Sequence, residues 1–193
     1  MKLNDLSEEQ KNMLTETGAF REGHFKLTSG LHSAGYLQCA LILQYPNHAE
    51  KIARDLAERY SKKPDIVLTP AIGGIVFGQE LARALGCRAI FAERKNGELK
   101  LRRGFYIEED EKILLAEDVI TTGGSVLELR SIVKNAGARV TGFCVICDRS
   151  GGKFVPEEGL ESWISLQIDA WEAGDCPLCK KEIPLQKPGS RWK

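Results

Sequence analysis

Between Asp65 and Ile146 the chain alternates short apolar runs with longer segments that end in helix-stop signals. Asp65-Ile66-Val67-Leu68-Thr69, Arg88-Ala89-Ile90-Phe91-Ala92, Ile113-Leu114-Leu115-Ala116 and Val140 to Ile146 each read as a buried strand. Runs that are apolar throughout need cover on both faces. The intervening segments supply it: an apolar helix to about Leu85 stopped by Gly86, and a second to about Ala136 stopped by Gly137. Strands alternating with helices imply an α/β fold, a mostly parallel doubly wound sheet. Such sheets bind ligands outside the carboxyl ends of their strands, so the loops after the strands are where chemistry is expected.

The N-terminal part reads differently. Ser7 with Gln10 three residues on has capping-box spacing, and the helix it starts ends before Gly18. Phe20 to Tyr45, rich in Gly, Ser and aromatic residues, reads as turns and short strands. Asn47, with Glu50 at the third position, is the expected cap of the next helix. Ala49, Ile52, Ala53, Leu56, Ala57 and Tyr60 then share one face at helical spacing, and Pro64 marks the exit. The 193 residues suit one domain, with no internal repeat or low-complexity stretch.

Charge and composition narrow the partners. Lys+Arg and Asp+Glu both number 27, without the basic excess of a nucleic-acid binder. No apolar run reaches the ~18 residues of a membrane span. Met1-Lys2-Leu3-Asn4-Asp5 has no signal-type apolar stretch, so the cytoplasm is the expected compartment. The six Cys are then expected as free thiols. Cys144 and Cys147 lie three apart on a strand, point to opposite faces and read as core thiols. Cys176-Pro177-Leu178-Cys179 has the spacing of a zinc knuckle but no obvious second pair.

The third strand runs into Glu117-Asp118-Val119-Ile120-Thr121-Thr122-Gly123-Gly124-Ser125. Two adjacent carboxylates are costly together unless something cationic or hydroxylic meets them, as a sugar diol or Mg²⁺ would. The small and hydroxylated residues that follow leave backbone N–H groups open to a ligand, and a helix start suits a phosphate. One short segment thus offers the two ends that a ribose 5-phosphate needs. A plainer reading of its last residues is a capping box of Ser125 with Glu128. Neither the P-loop nor the G-x-G-x-x-G pattern fits, since no Lys follows the glycines and no such run follows the first strand.

Leu114 to Ser125 resembles the signature of the type I phosphoribosyltransferases, which bind phosphoribosyl pyrophosphate (PRPP). The variant here is most similar to the orotate phosphoribosyltransferases. The resemblance extends over essentially the whole chain, through His24-Phe25-Lys26-Leu27-Thr28-Ser29-Gly30-Leu31-His32-Ser33, Arg102-Arg103-Gly104-Phe105, Asp148-Arg149-Ser150-Gly151-Gly152 and the ending Cys176-Pro177-Leu178-Cys179. It implies a single phosphoribosyltransferase domain over residues 1–193, with about 1–45 and the C-terminal segment forming a small N-terminal hood. It also implies transfer of the ribosyl group of PRPP to orotate, in pyrimidine synthesis, with Mg²⁺ carried by PRPP near Glu117 and Asp118.

Roles carried over by the resemblance are these. Glu117 and Asp118 hold the ribose hydroxyls. Val119, Ile120, Thr121, Thr122, Gly123, Gly124 and Ser125 complete the PRPP site, the Thr/Gly part taking the 5′-phosphate. Ala71, Gly73 and Gly74, in Pro70-Ala71-Ile72-Gly73-Gly74, take the pyrophosphate, although some orotate enzymes have Lys where this chain has Ile72. Thr121 and Arg149 contact orotate, with Lys26 a weaker candidate; the Lys that many orotate enzymes place before Ser-Gly is Thr28 here. A guanidinium grips a carboxylate through two hydrogen bonds, though Arg149 could instead pair with Asp148.

Arg94, Lys95, Lys100, Arg102 and Arg103, around the hairpin-turn pair Asn96-Gly97, resemble the catalytic lid, without the His of the usual lid pattern. With little apolar anchoring evident, this hairpin is expected to be mobile; a solvated charged hairpin is the alternative. The family implies a homodimer sharing the lid across subunits, with no nucleic acid or membrane partner. His24 and His32 are expected as hood or interface residues. Two other functions stay open: a phosphoribosyltransferase for another base, such as a purine, and a non-catalytic regulator on the same fold that binds nucleotide or RNA.

Overall fold

The computed structural model describes residues 6–27 and 29–188. In chain order its elements are α1 (Glu8–Glu16), β1 (Phe20–Lys26), β2 (His32–Leu37), α2 (Ala40–Leu43), α3 (Pro46–Arg59), β3 (Ile66–Pro70), α4 (Gly74–Leu85), β4 (Arg88–Lys95), β5 (Glu98–Leu101), β6 (Lys112–Ile120), α5 (Gly124–Asn135), β7 (Arg139–Asp148), β8 (Leu160–Ser165), β9 (Ala170–Trp171) and α6 (Pro177–Lys180). They fall into two compact units, one of residues 43–165 and one of residues 1–42 with 166–193.

The larger unit is built on a sheet ordered β5-β4-β3-β6-β7-β8. All neighbours run parallel except the β4–β5 hairpin. β3 is buried at every position, as its unbroken apolar run requires. Ile66 and Leu68 point into a core with Ile113, Leu115, Val145 and, from α5, Val126, Leu129 and Val133. Thr69, on the other face, lies against Gly74 and Gly78 of α4. Helices therefore cover both faces, and the doubly wound architecture expected from the sequence is present. β3 connects through α4 to β4 on one side, while its other neighbour is β6. The winding reverses between β3 and β6, the place in such sheets where ligands bind beyond the strand ends.

Local signals act as the sequence indicates in several places. Gly86 closes α4 in the left-handed region at φ 70°. α3 buries Ala49, Ile52, Ala53 and Leu56, each large side chain contributing about 1.5–3 kcal/mol. Its start differs from expectation. Tyr45 is the N-cap, Pro46 is the first helical residue, and Asn47 lies inside the helix. The fixed φ of Pro46 suits the first turn and needs no side-chain cap.

The smaller unit holds α1, with the Ser7–Gln10 capping box formed in both directions, and an antiparallel sheet ordered β1-β2-β9. Its C-terminal segment joins β1 through Lys26 N–H to Gln186 O and Gln186 N–H to His24 O, both 2.8 Å.

Candidate active site

The acid pair is part of β6, not of the loop after it. Glu117 pairs with Val145, Val119 with Cys147 and Ile120 with Asp148. Being in a strand, Glu117 and Asp118 are held by the ladder rather than by their own side chains. Both are partly buried. Burial, followed by the neighbouring Asp118 charge, pushes Glu117 up to about 7 against the ordinary 4.5; a Ser125 hydrogen bond and the Arg94 charge pull the other way. Asp118 is also raised by burial, opposed by the N–H of Val119, 3.0 Å from its Oδ1. A pair of this kind favours a ligand that brings a cation or hydroxyl donors.

Across the switch point, the loop after β3 comes directly against this pair. A Cβ built on Gly73 would lie 2.6 Å from Asp118 Oδ2 and 2.9 Å from Oδ1. Only glycine fits here against β6 without displacing the Asp118 carboxylate. Gly73 and Ile72 are exposed, Ala71 is half-buried and Gly74 is buried as the first residue of α4.

The loop after β6 carries exposed Thr121 and Thr122 and ends at Gly123, the N-cap of α5. Gly123 has φ 79°, and a Cβ there would run into the Phe154 ring. The residue must be glycine on both counts. The Ser125–Glu128 capping box does not form. Ser125 lies within the helix and hydrogen-bonds Glu117, while Glu128 is engaged by Arg94. Ile120 is fully buried in the core, and its carbonyl accepts the Arg149 N–H at 2.8 Å. That bond sets Arg149 beside the start of the Thr121 loop. Asp148 caps the turn after β7, accepting the Ser150 N–H at 2.7 Å.

The basic hairpin is real, and Asn96 (φ 54°) and Gly97 (φ 88°) form the turn that their sequence indicates. The expectation of weak anchoring is corrected. Leu99 is 6% exposed and belongs to the main core, with Leu101 and Phe105 packed against it. Three of the five cations are engaged. Arg94 donates to Glu128 at 2.8 and 3.1 Å and to Gly97 O at 2.6 Å. Arg103 grips Glu93 at 2.8 Å through two nitrogens, and Lys100 lies 2.9 Å from Glu98. These pairs hold Glu93 and Glu128 below the usual carboxylate range. Lys95 and Arg102 are exposed. Arg94 is the hairpin cation whose charge reaches Glu117.

Lys26 ends β1 in the smaller unit and is exposed; Thr28 lies outside the described residues. Cys144 and Cys147 are buried in β7, as expected of core thiols. The second pair missing beside Cys176 and Cys179 is found in space: His24 and His32 converge on them. Glu128, Ser125 as a partner of Glu117, and Phe154 over Gly123 are contacts that no short motif signals.

Comparison with known proteins places this geometry. The phosphoribosyl transferase domain model matches residues 41–178. The orotate phosphoribosyltransferase of Caldicellulosiruptor bescii is 53% identical over 182 residues, 94% of this chain and 96% of its own. That of Chlorobium phaeobacteroides is 50% identical over 181 residues, 93% and 94% of the two chains. Among solved structures, orotate phosphoribosyltransferase from Aeropyrum pernix superposes with a TM-score of 0.65 at 22% identity, covering 80% of this chain and 92% of that one. Adenine phosphoribosyltransferase from Rhodothermus marinus gives 0.66 at 18% identity, covering 81% and 99%. The fold is thus common to enzymes named for different bases, and the sequence relatives carry the distinction.

Proposed function

We propose the following chemistry from the premise that the chain belongs to the orotate phosphoribosyltransferase family: it joins N1 of orotate to C1 of the ribose of PRPP, releasing pyrophosphate and forming orotidine 5′-phosphate, a step of UMP synthesis. The observation that carries the reading is the acid pair of β6 set against the Gly73 loop across the switch point. Glu117 and Asp118 accept hydrogen bonds from the ribose hydroxyls and so position the sugar. The N–H groups of the Ala71, Gly73 and Gly74 loop meet the pyrophosphate. Those of Thr121 to Ser125, at the start of α5, meet the 5′-phosphate. Val119 and Ile120 contribute through the backbone that leads into this loop.

The C1–O bond to pyrophosphate breaks as the C1–N1 bond forms, the N1 proton of orotate leaves to water or to the departing pyrophosphate, and the ribose passes through an oxocarbenium-like state. Side chains need carry little of that proton transfer, so positioning and electrostatics dominate. Paired carboxylates raised by burial are oxygen donors suited to a hard cation. Glu117 and Asp118 are the residues that would hold Mg²⁺ with PRPP, where it would mask pyrophosphate charge. Arg94, Lys95, Lys100, Arg102 and Arg103 supply further positive charge, after Arg94, Lys100 and Arg103 exchange their present carboxylates for phosphate. Arg149 and Thr121 contact orotate, Arg149 gripping its carboxylate, and Lys26 is a further candidate. The same reading takes the enzyme as a cytoplasmic homodimer sharing the lid, and nucleic acid as no partner. No helix among the described residues is long and apolar enough to cross a membrane.

Asp118→Asn tests the central assignment. Turnover should fall by at least ~100-fold, the scale of losing one electrostatic contact to a transition state. The thermal midpoint should not fall, because burial already disfavours the Asp118 charge. Unchanged turnover would remove the diol-holding role.

A further inference from the structure

We propose that His24, His32, Cys176 and Cys179 form a structural zinc site within the smaller unit. Their ligand atoms all lie within 4.8 Å of one another. His24 Nε2 is 3.0 Å from His32 Nδ1, 3.4 Å from Cys176 Sγ and 3.7 Å from Cys179 Sγ, and Cys179 Sγ is 3.2 Å from His32 Nδ1. A tetrahedral zinc with usual bond lengths sets nitrogens about 3.4 Å apart and nitrogen from sulfur about 3.6 Å apart. These four separations fall within about 0.4 Å of those values, and the remaining ones within the 4.8 Å span of the cluster.

The tautomer of His24 supports the same reading. Its Nδ1 lies 2.7 Å from the carbonyl of Ile183, so Nδ1 carries the proton and donates. Nε2 of the neutral ring is then a lone pair aimed at His32 and at both sulfurs. A ring oriented by a carbonyl behind it is the usual arrangement for a zinc-bound histidine. Without a metal, one hydrogen bond from His32 would use only one of these contacts, and the sulfurs would have to share what remains. With zinc, all four lone pairs have a partner, and two thiolates cancel the 2+ charge. That balance matters because His24, His32 and Cys176 are 1%, 5% and 0% exposed, and an unbalanced charge there would be costly.

Two sulfurs and two nitrogens at tetrahedral spacing select zinc over the hard cations, which prefer oxygen. All four positions are filled by protein, so the site has no opening for a reacting water and is structural. Its place in the fold gives the function. His24 and His32 stand on β1 and β2, while Cys176 caps α6 and Cys179 lies within it. The metal clips the N-terminal hairpin to the C-terminal segment, alongside the Lys26–Gln186 and Gln186–His24 backbone bonds. The site is independent of the reaction proposed above.

The full chain, expressed in zinc-supplemented medium and desalted in the presence of a weak chelator, should carry stoichiometric zinc by mass spectrometry. Replacement by Co²⁺ should give thiolate charge-transfer absorption and the intense visible bands of a tetrahedral site. Cys179→Ser, at the exposed edge of the site, should weaken zinc binding by more than about 100-fold, beyond the loss of an outer partner. It should also lower the thermal midpoint. Folded wild-type protein that contains no zinc, shows no cobalt spectrum and gains no thermal stability from added zinc would overturn the proposal. So would a Cys176–Cys179 disulfide in the freshly purified chain.

Discussion

Replacing Glu117 by Gln removes an ionisable group from the end of β6 while keeping an oxygen that can accept the Ser125 hydrogen bond. Burial, with Asp118 alongside, moves the Glu117 carboxyl from an ordinary 4.5 to about 7. Between these values the folded chain holds a proton that the unfolded chain has released. Stability from this group is therefore fully present below 4.5 and is lost as pH rises through about 7. Once both states are ionised, the loss amounts to about 3 kcal/mol. Glu117→Gln escapes it. Above about pH 8 the variant should be more stable than the parent by up to about 3 kcal/mol, or roughly 6–12 °C in thermal midpoint for a chain of this size. Near pH 4 the gain should vanish. Urea and thermal unfolding of both proteins across this range give the comparison directly. The variant should also lose turnover, because the ribose would lose a charged acceptor. A gain that is independent of pH, or no gain at high pH, would refute the claim that Glu117 is a destabilised carboxylate kept for its ligand.

Two more perturbations separate the hairpin from the base site. Leu99→Ala should cost about 2–4 kcal/mol by urea unfolding, since it empties a place in the main core; a cost near zero would mean that the hairpin is as loosely held as its sequence suggests. Arg149→Lys should lower kcat/KM for orotate by roughly 100-fold, the worth of a two-bond grip on a carboxylate, and leave the KM for PRPP unchanged. Equal effects on both substrates would place Arg149 outside the orotate site.

What could be read in the sequence was what neighbouring residues settle among themselves. The Ser7–Gln10 box, the Gly86 stop and the apolar face of α3 are local, and each appears as its spacing indicates. The alternation of strands and helices was enough to imply the parallel sheet, and with it the strand ends where the acid pair sits. Errors arose where two local signals competed. Pro46 overrode Asn47 as the start of α3. The Ser125–Glu128 spacing lost to Gly123, because Ser125 turns to Glu117 and Glu128 to Arg94. Charge density along the hairpin hid Leu99, which fixes it to the core with Leu101. The four-residue α2 carries too little periodicity to be seen. His24 and His32 were visible as residues but not as partners of Cys176 and Cys179, since about 150 positions separate the pairs and only the folded hairpin brings them together.

The most direct test mixes the purified chain with PRPP, Mg²⁺ and orotate and follows the loss of orotate absorbance, with hypoxanthine, adenine and uracil run in parallel. Consumption of orotate alone, with pyrophosphate released in equal amount, is the predicted result. Turnover of another base in preference to orotate, or no turnover by a folded chain that binds PRPP, would contradict the account.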